Sequence, residues 1–483
     1  MKRQDGYNKL VHQLWDPAVV RRTARELAEI AADALLCNDS PVRRPDSERI
    51  ASRIIRDSSK NVDLMALVRE VQQASLHLSH PRFAAQQVAA PLPAAALVES
   101  VVAALNQSLA VWEMSPIATA IDRQLMGRFK KLFGYPRTAE GSLVPGGAFA
   151  NLTALLAARD ALAPQASKKG SARIAIIVGA QAHYSIARAA AILGLGRDAV
   201  FKVPLDAEFC TDIACTSAAF AAARKAGFRK FILVGSSGST PTGSFDDLVA
   251  LRRIATRHKA WFHVDAAHGA GLAFSRRFCQ RLGGLDTADS ITFDPHKMMF
   301  MPLAAGGVLV RDGKKLFEPL QEKAPYLFGS TRRFPDLGQL TIACSQRFDA
   351  LKTWIVWHAY GQQIWNELTT HVCDVAQAAF QYCAQSKILA PLHEPQSNIF
   401  CFRLREIRKR DSDRRHWAIK EELNESGFAY ISSTVLDGRR VLRLVVMNPR
   451  TTAEDIRDVL RRIEQIATRA QSPKRSRRSL RAS

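Results

Sequence analysis

The stretch "DSITFDPHKMMFMPLAAGG" (residues 289–307) runs an apolar strand, "SITFD" (290–294), into a lysine with a histidine on one side and two methionines on the other. A cation in such company does little for solubility. Lys297 is therefore either a structural oddity or an amine that does chemistry, and its partners decide which. Working outward, short apolar runs recur at "RIAIIVG" (173–179), "KFILVGSS" (230–237), "AWFHVDAA" (260–267) and "GGVLVRD" (306–312). Between them, "SIARAAAILGL" and "DDLVALRRIATRH" have the apolar spacing of crossover helices. Strands alternating with amphipathic helices predict an α/β fold built on a mostly parallel sheet.

The 483 residues, 47% of them hydrophobic, bury a large core and divide into two or three domains. Residues 1–95 read as an N-terminal helical arm, with "PAVVRRTARELAEIAADALL" and "NVDLMALVREVQQASLHL" lacking an apolar partner of their own, so another subunit is expected to cover them. Residues 96–365 form the large α/β domain, and 366–468 a smaller α+β unit with strands "NIFCFRL" and "RRVLRLVVM" and a closing helix. The end, 469–483, reads as a disordered basic tail, its last stretch "QSPKRSRRSLRAS" holding five Lys/Arg and no acid. The net charge is +23, but no basic module with interleaved aromatics appears, so specific nucleic-acid binding is not expected. The most apolar stretch, "VAAPLPAAALVESVVAAL", carries prolines and a glutamate, which excludes a membrane span there. The N-terminus lacks an apolar signal core, and eight scattered cysteines without a C-x-x-C pair suit reduced thiols, so a cytoplasmic protein without a metal site is expected.

Partners for Lys297 lie in three other segments. In "AWFHVDAAHGAG", strand alternation puts His263 and Asp265 on one face, with Asp265 near the strand's carboxyl end, where open α/β sheets bind ligands. Alone, Asp265 fits a structural salt bridge as well as a carboxylate holding a protonated ring nitrogen. In "LVPGGAFANLTALLAARD" a Gly-Gly turn opens a helix, and the amides of Gly147 and Ala148 at its positive end suit a phosphate. His183, in "GAQAHYSIARAAAILGLG", follows a strand and precedes a helix; it either caps that helix or stacks on a planar ligand. A Schiff-base lysine, an acid for a pyridinium nitrogen and an anion cradle together describe a pyridoxal 5'-phosphate (PLP) site.

These residues also carry a resemblance. "DPHK", "HVDAAHGAG" upstream of it, "GG-x-x-A-N-L" and "AHYSI" resemble the group II PLP-dependent amino-acid decarboxylases, which include glutamate, cysteine-sulfinate, 2,4-diaminobutyrate and aromatic amino-acid decarboxylases. The similarity continues through "HPRF", "NQSLAVWEMSPIATAID", "STPTGSFDDL", "RFDALKTW" and "LRLVVMNP", spanning roughly residues 75–465. It implies the PLP-dependent transferase fold type I, like aspartate aminotransferase, and a homodimer with its active site at the interface. By the same resemblance Lys297 holds the cofactor, His296 lies near its phosphate, Asp265 pairs with the pyridinium and His183 stacks on the ring. Thr240 places a hydroxyl beside the cofactor, and Ala148 stands where family members often have Ser or Thr, leaving more to backbone amides. Tyr326, in "KAPYLFGSTRRF", matches a loop tyrosine that protonates Cα, which points to simple decarboxylation over oxidative aldehyde formation. Gln86 and Arg443 match positions that hold a substrate carboxylate, which leans toward an acidic amino acid: glutamate, aspartate or cysteine sulfinate. The alternatives are a 2,4-diaminobutyrate or aromatic substrate, an aldehyde synthase, or an inactive scaffold whose basic tail contacts nucleic acid.

Overall fold

In a computed structural model that describes residues 14–37, 63–170, 172–324, 328, 336–406, 408 and 411–469, the apolar runs assemble into one large and one small sheet. The large sheet holds β2 (Glu140–Val144), β3 (Ile174–Gly179), β4 (Val200–Val203), β5 (Lys230–Ser236), β6 (Trp261–Asp265), β7 (Ser290–Phe293) and β8 (Gly306–Val310). Its order is β2-β8-β7-β6-β5-β3-β4, and only β8 runs against the rest. The chain leaves β3 outward to β4 and then returns to the other side through β5, so the order reverses between β3 and β5. Such a switch point leaves a crevice at the carboxyl ends of the strands.

The strands' side chains alternate into two layers, as period-2 geometry requires. Ile174, Ile176, Val178, Ile232 and Val234 pack with Leu155, Ile186 and Ala189 on one face. Ala175, Ile177, Phe231, Leu233, Phe262 and Val264 enter the main core on the other. The strands end a residue or two before the apolar runs do: β6 stops at Asp265 and β7 at Phe293, and the following residues leave the ladder to line the crevice.

The small sheet has the order β1-β11-β12-β10-β9, from β1 (Phe83–Ala84), β9 (Leu389–Pro391), β10 (Ile399–Leu404), β11 (Tyr430–Leu436) and β12 (Arg439–Val445). Through β1, the N-terminal segment supplies a strand to it, pairing Phe83 with Tyr430 and Ala84 with Ile431. The two expected N-terminal helices are present as α1 (Pro17–Leu36) and α2 (Leu64–Ala74), capped by Asp16 and Asp63. Val20, Leu27, Leu64 and Val71 remain exposed on them. The basic tail lies outside the described residues from 470 onward.

Behind the site, Lys352 has a fully buried side chain, yet it meets Glu99 at 2.8 Å, Asp349 at 3.1 Å and the Ala304 carbonyl at 2.9 Å. It thereby ties the loop after Lys297 to the core. Removing one partner of a buried ion cluster strands the others, so Lys352→Ala is expected to lose about 3–5 kcal/mol of stability in a denaturant melt. A loss near that of a surface lysine would show that the cluster does not hold the loop.

Candidate active site

A cavity of about 260 Å3 opens at the carboxyl edge of the large sheet, lined by residues that follow β2, β3, β5, β6 and β7. Of the residues singled out from sequence, Gly147, Ala148, His183, Thr240, Asp265, His296 and Lys297 all line it. Lys297 reaches it from the turn after β7, where its amide donates to the Asp294 carbonyl at 3.0 Å and its Nζ lies 3.1 Å from Asp294 Oδ2. Met298, Met299, Phe300 and Met301 are buried, which answers the composition of this stretch: the methionines anchor the turn and leave the amine at the cavity.

The glycine turn is built by close approach. Gly146 has φ of 112°, a conformation that L side chains rarely adopt. A Cβ on Gly147 would lie 2.7 Å from Asp294 Oδ2, and one on Gly306 of β8 would lie 2.4 Å from the Gly146 Cα. The helix that follows, α3 (Gly147–Leu162), has no side-chain cap, so its positive end faces the cavity. Beside it, His296 Nδ1 accepts from the Ala305 amide at 3.0 Å, which turns Nε2 toward Asp294 at 3.6 Å. Burial holds the His296 imidazole below its ordinary value, opposed by Asp294.

Asp265 ends β6 with both oxygens engaged. Oδ1 accepts from the Ala267 amide at 3.1 Å, and Oδ2 accepts from Asn151 Nδ2 at 2.8 Å. His263 also meets Asn151, Nε2 lying 2.9 Å from Oδ1, so the shared face expected for His263 and Asp265 is present. Asn151, the asparagine of "GG-x-x-A-N-L", has no role that the sequence alone indicates. A buried asparagine inside a helix forgoes helix propensity and must have partners, which here are Asp265, His263 and Ser185. His183 precedes α4 (Ser185–Ile192), and its Nδ1 lies 2.8 Å from Ser185 Oγ. Burial lowers its proton affinity, with Asp265 opposing.

His268 is the other residue that sequence reasoning passed over. It lines the cavity, its Nε2 lies 2.8 Å from Asn398 Oδ1, and its Nδ1 has no hydrogen-bond partner. Gln86 and Arg443 sit outside the cavity wall but adjoin it. Arg443, largely buried, donates to the Thr240 carbonyl at 2.8 Å, Ser432 Oγ at 2.9 Å and Gln86 Oε1 at 3.2 Å. Tyr326 lies outside the described residues. Among those residues no group of metal-binding side chains occurs, and no helix is long and apolar enough to cross a membrane. The cavity thus joins an amine, two carboxylates, an anion-ready helix end and imidazoles held neutral by burial.

Comparisons with known proteins agree with this chemistry. Residues 46–405 match the pyridoxal-dependent decarboxylase conserved domain. The L-2,4-diaminobutyrate decarboxylase of Rhizobium meliloti is 33% identical over 84% of this chain and 81% of its own. The human acidic amino acid decarboxylase GADL1 is 29% identical over 83% and 80%. A crystal structure of mouse CSAD superposes with a TM-score of 0.88 over 93% of this chain and 99% of its own, at 24% identity.

Burial pushes His263 down to about 4 and His268 to about 3, against an ordinary value of 6.5. Below 6.5 the unfolded chain binds protons that these two sites refuse, so unfolding is favoured as pH falls. Stability of the cofactor-free chain should therefore be flat above pH 7 and decline from about pH 6.5 toward pH 4. His268→Gln should flatten that slope in chemical denaturation; an unchanged slope would place the proton uptake elsewhere.

Proposed function

As the chain belongs to the pyridoxal-dependent decarboxylase family, and so is a PLP-dependent carboxy-lyase of amino acids, we propose that its substrate is an L-amino acid with an acidic side chain. The observation that carries this reading is Arg443, a buried guanidinium whose hydrogen bonds go to two backbone carbonyls, a hydroxyl and an amide oxygen, all of them neutral. No carboxylate pairs with it among the described residues, and burial disfavours its charged form. A ligand carboxylate reaching Arg443 and Gln86 past Thr240 would relieve that cost through charge-assisted hydrogen bonds.

The residues fit the cofactor. The cradle at Gly146–Gly147 is one that a Cβ would fill, and the unpartnered Nδ1 of His268 leaves an acceptor for a bound group. The amides of Gly147 and Ala148, with His296, would take the phosphate. Asp265 would hold the ring nitrogen, His183 would stack on the ring, the Thr240 hydroxyl would lie beside it, and Lys297 would supply the amine that attaches it. When bound, PLP supplies an electron sink for the pair left on Cα as CO2 departs. The chain's own work is to orient the breaking bond, exclude water and return a proton to Cα, a step assigned to Tyr326. The exposed apolar positions of α1 and α2, and Leu303 at the cavity rim, support a homodimer with the site at its interface. A cytoplasmic location and the absence of specific nucleic-acid binding complete the reading.

A second reading, a 2,4-diaminobutyrate substrate, is favoured by His268, whose neutral acceptor suits a side-chain ammonium, and by the similarity to the Rhizobium enzyme. Release of CO2, amine and peroxide from a panel of L-amino acids separates the readings. The expected result is CO2 and amine from an acidic substrate, with Arg443→Met lowering kcat/KM for it by about 10- to 100-fold, the worth of a charged hydrogen bond. Turnover of 2,4-diaminobutyrate or an aromatic amino acid in preference would overturn the acidic assignment. Tyr326→Phe should lower amine and raise aldehyde and peroxide; unchanged products would remove Tyr326 from the protonation step.

A further inference from the structure

The geometry points to Asn151 as a positioning residue whose side-chain amide insulates Asp265 from the proton on His263 while tying Asp265 to His183. This rests on the reading above that Asp265 and His183 face the cofactor.

The direction of every bond follows from what each group can do. Asp265 Oδ2 and Ser185 Oγ lie 2.8 and 2.9 Å from the Asn151 Nδ2, which can only donate. The amide oxygen is thereby turned to His263, so His263 must donate from Nε2. Its Nδ1 is then an acceptor, and Ser290 Oγ at 2.9 Å supplies the proton. Ser290 can give that proton because its oxygen receives the Trp261 indole N–H at 2.9 Å. At the far end His183 Nδ1 accepts from the Ser185 amide at 3.3 Å and from the Ser185 hydroxyl at 2.8 Å, which leaves the His183 proton on Nε2.

A continuous chain therefore runs from Trp261 through Ser290, His263, Asn151 and Ser185 to His183, with Asp265 as a branch. Asn151, His263, Ser185 and Ser290 are all at most 1% exposed, so water does not substitute for any of them. The middle member is an amide, which holds its protons through the ordinary pH range. A carboxyl, hydroxyl or water at that position would pass the His263 proton to Asp265. The asparagine prevents it, so Asp265 keeps both oxygens as acceptors for a donor from the cavity. The charged groups near this chain are Asp265 itself, acting on both His263 and His183, and Lys297, Asp294 and Arg188, acting on His183.

The test uses the full-length chain loaded with PLP. Asn151→Asp keeps shape but replaces the amide by a group that titrates. It should add a titration step to the visible absorbance of the bound cofactor between pH 5.5 and 9 that the parent lacks. Asn151→Ala should raise the Kd for PLP at least tenfold and shift the pH profile of kcat/KM, with a smaller effect on substrate KM. Thermal melts of the cofactor-free variants separate these effects from misfolding, and Ser185→Ala, which cuts only the His183 branch, should leave the absorbance titration as in the parent. Parent-like titration in Asn151→Asp, or parent-like Kd and pH profile in Asn151→Ala, would overturn the insulating role. Asp265→Ala provides the separate control: if it leaves cofactor affinity and absorbance unchanged, the placement of Asp265 against the ring fails instead.

Discussion

A carboxylate at the end of a buried strand must be met by donors, and the site depends on how Asp265 is met. The interior penalises an unpaired acid by several kcal/mol. Here the penalty is answered by one backbone amide and one asparagine amide, both neutral, and no cation among the described residues pairs with it. The sheet order puts this acid in β6, beside the point where the chain reverses direction, and the elements after β2, β3 and β7 bring a helix end, an imidazole and Lys297 to the same crevice. The fold concentrates at one edge the groups that a protonated heteroaromatic ring with an anionic tail requires.

Close packing of backbone explains why the glycines stand where they do. Gly146 presses on Gly306, and Gly147 on Asp294, so the turn that opens α3 sits directly over the strand that delivers Lys297. Side chains at either position would separate the helix end from the amine. The buried Lys352 cluster holds the same loop from behind, so the amine and the anion cradle are fixed by independent constraints.

Much of this was legible in the sequence because period and punctuation report on burial. Runs such as "RIAIIVG" declare central strands, and residues just past such runs fall at the carboxyl edge, which is why Lys297, Asp265, His183 and the Gly146–Gly147 turn could be brought together in advance. What was not legible depends on long-range pairing. β2 and β4 are short and carry polar residues, and β1 contributes only two residues to a sheet whose other strands lie some three hundred positions later. Asn151 gives no apolar or catalytic signal of its own; its meaning appears only when Asp265, His263 and Ser185 surround it. Arg443 was legible as a cation, but its placement behind Thr240, with hydrogen bonds to Thr240, Ser432, Ala85 and Gln86 that leave one guanidinium N–H for a ligand, was not. Tyr326 lies outside the described residues and rests on the resemblance alone.

The most direct test of the Lys297 assignment is to reduce the PLP-loaded chain with borohydride, which fixes the cofactor to whichever amine holds it, and to locate the modified residue by peptide mass spectrometry. A single modified lysine, Lys297, is expected, with no modification in Lys297→Ala. A cofactor fixed to another lysine, or none fixed although PLP is bound, would contradict it.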